Sequence, residues 1–220
     1  IQHTYEAASS AARAEDIFVA ADHAELAAEV RRFGGQVIMT DVNAASGTDR
    51  VAEVASGKPE FDIIINVQGD EPEVSGGAID RVVELLEKNV HAVMATLGTP
   101  IRRREQLEDP ACVKVVRNAM GEAMYFSRSP IPRARNWDDE LLRADPPHFL
   151  QHVGLYAYRR DFLIQLGKMP RSPLEVVENL EQLRVLSAGQ TILVDVINEP
   201  SVGIDTLADY RAFVSRARTC

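Results

Sequence analysis

The stretch 61–72 constrains the fold more than any other, because an apolar run turns abruptly into a polar cluster there. The run from Ile63 to Val67 is typical of a strand buried on both faces of a parallel sheet. In open α/β sheets, ligands bind beyond the carboxyl ends of the strands, where Gln68, Asp70 and Glu71 fall. An amide there can pair with a base edge, and a carboxylate can hold Mg²⁺ against a polyphosphate. A simple loop-capping role for Asp70 remains the alternative.

Strand and helix patterns alternate through the first 90 residues. Strands are predicted at 17–21, 36–40 and 63–67, and helices at 22–33, 46–55 and 77–88. Asp22 is the expected N-cap of the first of these helices, and Ser46 with Asp49 forms a capping-box pattern at the second. This βαβα order predicts the α/β class, with a doubly wound, mostly parallel sheet.

The middle of the chain has a different pattern, with little helix between successive strands. Strands are predicted at 92–101, 113–117, 123–127 and 154–159, and a charged loop at 133–147. We expect a mixed-sheet insertion or dimerisation lobe at about 92–160, within a single domain spanning 1–220. A helix beginning at Ser172, a strand at 191–197 and a last helix beginning at Thr206 complete the pattern.

Composition narrows the class of protein. The chain has 220 residues, of which 45% are hydrophobic and 26% charged, which suits one large globular domain. A net charge of −9 argues against nucleic-acid binding but not against a nucleotide. No apolar run approaches the roughly 20 residues that cross a bilayer, and there is no signal peptide, so no membrane association is expected. Cys112 and Cys220 lie far apart, which indicates a reducing, cytoplasmic protein.

Residues 46–50, with the sequence SGTDR, stand at a predicted helix N-terminus. Free backbone N–H groups at such a position favour anions or carbonyl oxygens. Arg50 could donate to the acceptors of a pyrimidine edge. Taken alone, the motif favours an ordinary cap beside a surface arginine over a ligand site.

A second acid, Asp205, lies just before the last predicted helix, after a strand and a proline-containing loop. Thr206 can already cap that helix, so Asp205 is spare for another role. Two carboxylates together with substrate phosphates are a common Mg²⁺ environment. Asp70 and Asp205 are the candidate pair if their strands are neighbours.

Polar residues in the second half could serve a carboxylate-bearing substrate. Arg128 follows one predicted strand and His152 precedes another, although a lone histidine at a strand entry is more often structural. On a helical wheel that continues the helix from Ser172, Glu181 falls on the apolar side and Gln182 on the polar side. An acid on an apolar face is either paired or used on a ligand, and the wheel leaves both possibilities open.

These motifs, in this order, closely resemble the 3-deoxy-manno-octulosonate (Kdo) cytidylyltransferases, also called CMP-Kdo synthetases. They are SGTDR at 46–50, NVQGDEP at 66–72, YFSR at 125–128, HVGLYAYR at 152–159, SPLE at 172–175 with LEQLR at 180–184, and GIDT at 203–206. The resemblance runs from the first residue to the last helix. It implies a nucleotidyltransferase fold, a homodimer, and synthesis of CMP-Kdo and pyrophosphate from CTP and Kdo with Mg²⁺, for lipopolysaccharide assembly.

The resemblance also implies residue roles. The nucleotide-side residues are Ser46, Gly47, Arg50 and Gln68; the catalytic Mg²⁺ ligands are Asp70 and Asp205; the sugar-acid residues are Arg128, His152, Tyr156, Glu181 and Gln182. Leu207 replaces the usual proline, Asp49 the usual glutamate, and Gln151 a frequent basic residue. None of these three changes is expected to abolish the site.

One departure is larger. The family opens with a strand and a basic, glycine-containing loop that cradles the triphosphate, and residues 1–220 contain no such sequence. We expect that an N-terminal segment is missing, and that without its cations the chain is a poor catalyst. Two alternatives stay open: another sugar-acid cytidylyltransferase, of the sialic-acid type, and a non-catalytic nucleotide- or sugar-binding protein.

Overall fold

The computed structural model describes residues 1–44, 46–198, 203–204 and 206–217. The helices are α1 Gln2–Ala8, α2 Ala24–Arg32, α3 Gly47–Ser56, α4 Gly76–Lys88, α5 Arg104–Glu108, α6 Arg160–Leu166, α7 Pro173–Glu178, α8 Gln182–Ser187 and α9 Leu207–Ala217. The strands are β1 Val19–Ala21, β2 Val37–Met39, β3 Ile63–Val67, β4 Met94–Pro100, β5 Lys114–Arg117, β6 Ala123–Ser127, β7 Leu150–Arg159 and β8 Ile192–Val196. Every predicted strand overlaps an observed one, and the predicted loop at 133–147 contains a short 3₁₀ turn at Asp139–Arg143.

Side-chain caps fix most of the predicted helix starts. The Ser46 hydroxyl accepts from the backbone N–H of Asp49 at 3.2 Å, which confirms the start of α3. Asp22 is not the N-cap of α2, so that prediction is wrong. His23 accepts from the backbone of Glu25 instead, because the Asp22 carboxylate is held 2.9 Å from a guanidinium nitrogen of Arg50.

The main sheet is built around the long strand β7. Its order is β6-β5-β7-β4-β8, and β3 pairs with β7 on the same side as β5 but at the opposite end of that strand. The predicted α/β class is confirmed, and the sheet is mixed, but it is not mostly parallel as predicted. Strands β4 and β8 are parallel, whereas β7 runs antiparallel to β3, β4 and β5, so strand directions are mixed throughout. The segment 92–160 contributes β4 to β7 to this same sheet.

Helices cover both faces of the sheet. Successive residues of a strand point to opposite faces, so Met94 packs with α6 and α8 while Ala95 packs with α4. Phe126 and Leu163 are fully buried on the first face, and Leu86 on the second. This two-sided burial holds the ends of β3 and β7 rigidly, and that is where the candidate site lies. No helix in the described ranges is long and apolar enough to cross a membrane.

A separate small sheet consists of β1 and β2, which pair in parallel. A cavity of about 630 Å³ lies between this sheet and β3, lined by α1 and α4 on one side and α3 on the other. Within the described ranges, neither β1 nor β3 has a strand partner on its cavity side. Helix packing and side-chain contacts, including the ion pair of Arg50 with Asp22, therefore connect the two sheets.

Candidate active site

The nucleotide-side residues predicted from two distant motifs meet in space. A Cβ atom built on Gly47 would lie 3.8 Å from Oε1 of Gln68, which places the Gln68 amide against the first turn of α3. The hydroxyl of Ser46 is bound to Asp49 in that same turn. The carboxyl end of β3 and the N-terminus of α3 thus form one surface, as expected where helices and strands alternate.

Arg50 lies beside this surface, at the carboxyl ends of β1 and β2. Its guanidinium donates to the hydroxyl of Thr40 at 2.6 Å, to the carbonyl of Asp41 at 3.1 Å, and to the carboxylate of Asp22. These contacts tie α3 to the small sheet. Contact of Arg50 with the base stays a prediction.

The loop after β3 meets the segment that precedes α9. The backbone N–H of Ile204 donates to the carbonyl of Asp70 at 2.8 Å. A Cβ atom built on Gly203 would lie 3.3 Å from a carboxylate oxygen of Glu71. The strands that precede the two acids, β3 and β8, are not neighbours in the sheet, so the condition set for the metal pair is not met, although the segments that follow these strands do meet. Asp205 itself lies outside the described residues.

Glu181 and Gln182 do not lie on one continuous helix with Ser172, so the helical-wheel prediction is wrong. Helix α7 ends at Glu178, Asn179 takes a left-handed conformation with φ of 52°, and α8 begins at Gln182. Gln182, placed by the wheel on the polar side, is 5% exposed, whereas the apolar side chain of Val177 on α7 is 82% exposed. The break rotates α8 relative to α7 and turns Gln182 inward.

A buried ion pair holds these two short helices together. The guanidinium of Arg184 donates to both carboxylate oxygens of Glu175, at 2.8 and 2.5 Å, and also to the carbonyl of Leu166. The Arg184 nitrogen that donates to Leu166 also lies 3.9 Å from a carboxylate oxygen of Asp49 on α3. Glu181 is the residue immediately before α8, so its position depends on how this helix is anchored.

His152 lies inside β7 rather than before a strand, opposite Gly98 of β4. Its Nε2 is 3.2 Å from the hydroxyl of Thr96, whose own proton is directed at the carbonyls of Val153 and Leu155. Nε2 must therefore carry a proton and donate, which leaves Nδ1 as an acceptor. Burial lowers the pKa of His152 to about 3, so the ring is neutral near pH 7.

The neutral state of His152 predicts loss of stability in mild acid. The unfolded histidine titrates near its usual pKa of 6.5, whereas the folded one does so only near 3. Protons therefore bind the unfolded chain preferentially as pH falls below 6.5. We expect the free energy of unfolding to drop between pH 7.5 and 5.0 by about 2 kcal/mol more in the parent than in His152→Gln, measured by urea titration.

The exposed histidine variant His3→Gln is the control, and it should keep the parent's dependence on pH. Equal losses in the parent and in His152→Gln would contradict a buried neutral imidazole.

Tyr156 lies next to His152 on β7, with their ring centroids 5.3 Å apart. Burial raises the pKa of Tyr156 well above its usual value, and Tyr158, Glu181 and Glu71 add to the shift. The phenol is thus a neutral donor close to two carboxylates. The structure brings together His152, Tyr156 and Glu181 from the sugar-acid prediction, next to Glu71 of the loop after β3.

Comparison with known proteins identifies the family. A family model described as cytidylyltransferase matches residues 1–192. The 3-deoxy-manno-octulosonate cytidylyltransferase of Rhodopirellula baltica is 49% identical over 217 residues, which cover 98% of this chain and 87% of that protein. The enzyme of the same name from Geobacter metallireducens is 42% identical over 220 residues, covering 98% of this chain and 86% of that protein. The chain belongs to the 3-deoxy-manno-octulosonate cytidylyltransferase family.

Solved structures agree with this assignment. A CMP:2-keto-3-deoxy-manno-octonic acid synthetase in complex with CTP superimposes with a TM-score of 0.88 at 39% identity, covering 99% of this chain and 88% of that one. A 4-diphosphocytidyl-2C-methyl-D-erythritol synthase from Anaerococcus prevotii, with a TM-score of 0.61 and 10% identity, shares the fold alone.

In this cytidylyltransferase, Arg128 is held by backbone groups near α7. Its Nε donates to the carbonyl of Glu178 at 2.8 Å and its Nη1 to the carbonyl of Pro110 at 3.1 Å. The nearby acid Glu122 is not its partner in the described part of the chain, since Glu122 contacts Asn118 and His91 instead. Within the described ranges no hydrogen bond or ion pair joins Arg128 to the His152–Tyr156–Glu181 cluster, so its sugar-side role stays a prediction.

Three residues of this cytidylyltransferase were missed by sequence reasoning. Lys114 is fully buried, and its ammonium donates to the carbonyls of Asp109, Cys112 and Arg128. Asn66 is 5% exposed, and its Nδ2 has no partner within the described ranges. Thr48 donates to Glu181, as described below. The positions of Asn66 and Thr48 inside quoted motifs were signals for those two residues, whereas Lys114 carried none.

Proposed function

We propose that this chain transfers a cytidylyl group from CTP to 3-deoxy-D-manno-octulosonate, giving CMP-Kdo and pyrophosphate. The observation that carries the proposal is the meeting of two surfaces at the ends of β3 and β7. The first surface consists of Gln68 and the first turn of α3. The second surface consists of His152, Tyr156 and Glu181. Relatives named 3-deoxy-manno-octulosonate cytidylyltransferase match this chain over nearly its full length.

The reaction is a single displacement at phosphorus. The anomeric hydroxyl oxygen of Kdo forms a bond to the α-phosphorus of CTP, while the bond from that phosphorus to the bridging oxygen breaks. Pyrophosphate leaves with the bonding electrons, and the hydroxyl proton passes to solvent. The protein contributes chiefly by holding the two reactants in line and by balancing phosphate charge.

The nucleotide is assigned to the α3 side. The Gln68 side chain offers both a donor and an acceptor, which match the mixed edge of cytosine. The first turn of α3, with Ser46 and Gly47, offers backbone N–H groups to carbonyl or phosphate oxygens. Arg50 stands beside them as a cation already oriented by Asp22.

A magnesium ion is part of this proposal, with Asp70 and Asp205 as its protein ligands. Asp70 is exposed at the carboxyl end of β3, and its backbone carbonyl accepts a hydrogen bond from the N–H of Ile204. Carboxylate oxygens are suitable ligands for this hard cation. The described ranges, which omit Asp205, contain no cluster of three or more metal-binding side chains. When bound, Mg²⁺ would neutralise phosphate charge on CTP.

The sugar acid is assigned to the β7 side. Tyr156 donates from its neutral phenol, Nδ1 of His152 accepts, and Glu181 accepts, so the pocket can bind several hydroxyls at once. Gln182 and Arg128 complete the proposed set, with Arg128 for the carboxylate. A neutral histidine suits this role, because it binds hydroxyls identically across the neutral pH range.

The deciding experiment is a substrate panel on the complete protein, which is also the parent for every kinetic comparison below. CTP is supplied with Kdo or with a sialic acid in the presence of Mg²⁺, and both pyrophosphate and the sugar nucleotide are measured. We expect product with Kdo and at least about tenfold less with sialic acid, because a pocket built on specific hydroxyl contacts discriminates strongly. Preference for sialic acid would favour the other cytidylyltransferase. Binding of CTP without pyrophosphate release would favour a non-catalytic protein.

We also infer a homodimer that uses α7, which lies outside the dimerisation lobe expected at about 92–160. Leu174, Val176 and Val177 are all exposed on this one short helix, and exposed apolar groups of this kind mark interaction sites. Val177→Asp is expected to convert the dimer into a monomer, because a carboxylate would be buried against the partner copy. Analytical ultracentrifugation measures this against the chain mass of 24.3 kDa.

Val90→Asp is the matched control, since Val90 is a similarly exposed valine in the turn after α4. It should stay dimeric. A monomeric parent, or a dimeric Val177→Asp, would contradict the assignment of α7 to the interface.

The cellular setting is proposed on chemical grounds. Cys112 is a free, buried thiol, which suits a reducing cytoplasm. CMP-Kdo made there would supply lipopolysaccharide assembly.

A further inference from the structure

Thr48 connects the two halves of the proposed site. It is the second residue of α3, it follows Gly47 directly, and it is 4% exposed. Its hydroxyl donates a short hydrogen bond to Oε2 of Glu181, 133 residues further along the chain. The backbone of Thr48 is therefore part of the nucleotide side, whereas its side chain contacts a residue of the sugar side.

The protons around Thr48 can be assigned. A threonine hydroxyl has one proton and two acceptor lone pairs, and a carboxylate only accepts. Thr48 must therefore give its proton to Glu181.

The hydrogen bond from Thr48 leaves one oxygen of the Glu181 carboxylate for a ligand. Within the described ranges, Oε2 is engaged by Thr48, and no hydrogen bond to Oε1 is present. A hydrogen bond to one oxygen restricts rotation of the carboxylate, which limits the directions in which Oε1 can point. Glu181 also acts electrostatically on Tyr156, the neighbouring donor on β7.

We propose that Thr48 is a positioning residue that fixes the carboxylate of Glu181 for the hydroxyls of the sugar acid. The inference rests on the proposed function, because it assigns the sugar to the β7 side. Thr48 does not touch the substrate in this scheme. It sets where Oε1 of Glu181 lies relative to the nucleotide surface, and small errors in such positions are costly in a reaction between two bound substrates.

The test compares Thr48→Val, which is isosteric but lacks the hydroxyl, with Thr48→Ser, which keeps it. We expect Thr48→Val to raise the KM for Kdo about tenfold, the order expected for loss of one hydrogen bond to a charged group. The Kd for CTP, measured by calorimetry, should change less than about twofold, since the backbone of α3 is unaltered. Thr48→Ser should restore the parent KM. Ser56→Ala is the control, because Ser56 bonds only to the carbonyl of Ala52 within the same helix.

A double-mutant cycle with Glu181→Gln decides whether Thr48 acts through Glu181. We expect Glu181→Gln to raise the KM for Kdo, and Thr48→Val to add less than about twofold in that background, because coupled residues are non-additive. A fully additive effect, or an unchanged KM in Thr48→Val, would overturn the proposal while CMP-Kdo synthesis by the parent stood. An unchanged KM in Glu181→Gln would overturn it too. Absence of CMP-Kdo formation by the parent would instead refute the proposed function itself.

Discussion

Asp70→Asn is expected to lower kcat for CMP-Kdo formation by about 100-fold or more, while the protein stays folded. Asp70 is exposed at the carboxyl end of β3, and its contact with Ile204 is made by the backbone carbonyl, which the substitution keeps. The loss would come from the carboxylate charge, since removing one preorganised electrostatic group costs about 10²- to 10³-fold in kcat. Steady-state kinetics over a range of Mg²⁺ concentrations measure both kcat and the Mg²⁺ requirement, which should rise.

Asp62→Asn provides the matched control, because Asp62 is an exposed acid at the other end of the same strand. It should retain the parent's kcat and Mg²⁺ requirement. If Asp70→Asn behaves like Asp62→Asn, Asp70 is only a loop residue and the metal assignment fails.

Arg184→Met is expected to lower the free energy of unfolding by about 3–5 kcal/mol, the usual cost of leaving one member of a buried ion pair alone. The side chains of Arg184 and Glu175 are 5% and 4% exposed, and Arg184 also donates to the carbonyl of Leu166. Urea unfolding followed by circular dichroism measures the loss. The effect should reach the site, because this pair anchors α8 and hence Glu181.

Two comparisons distinguish the cost of a buried unpaired charge from the loss of the ion pair itself. Glu175→Met combined with Arg184→Met should recover much of the loss, because no uncompensated charge remains. Arg216→Met removes a similar two-contact pair with Glu73 that is partly exposed to solvent, and it should change stability little. A small loss in Arg184→Met alone would contradict the importance of the buried pair.

The elements of the fold were largely predictable, because their signals are local. The cap at Ser46, the capping box at Ser172 with Glu175, and the Thr206–Asp209 contact each occupy four residues of sequence. Predictions failed where a residue distant in sequence binds the side chain that the local pattern assigns to a cap. Asp22 looks like an N-cap, but Arg50, 28 residues away, takes its carboxylate.

The break between α7 and α8 shows the same limit at the site. The sequence from Ser172 to Val185 carries no proline or glycine that would mark an end after Pro173, so one helix was the natural expectation. Tertiary contacts decide otherwise. Arg184 reaches Glu175 and Asp49 only if the chain turns at Asn179, which adopts the left-handed conformation open to asparagine.

The sequence by itself determined the family, the α/β class and the motifs that belong to the site, because the order and spacing of those motifs are properties of the chain. Only the tertiary structure decided which of them meet. Gln68 against Gly47, Asp70 against Ile204, and Thr48 against Glu181 join residues 21 to 134 positions apart. Such contacts arise from how β3 and β7 pair and how the helices pack on them, and no local pattern encodes that geometry.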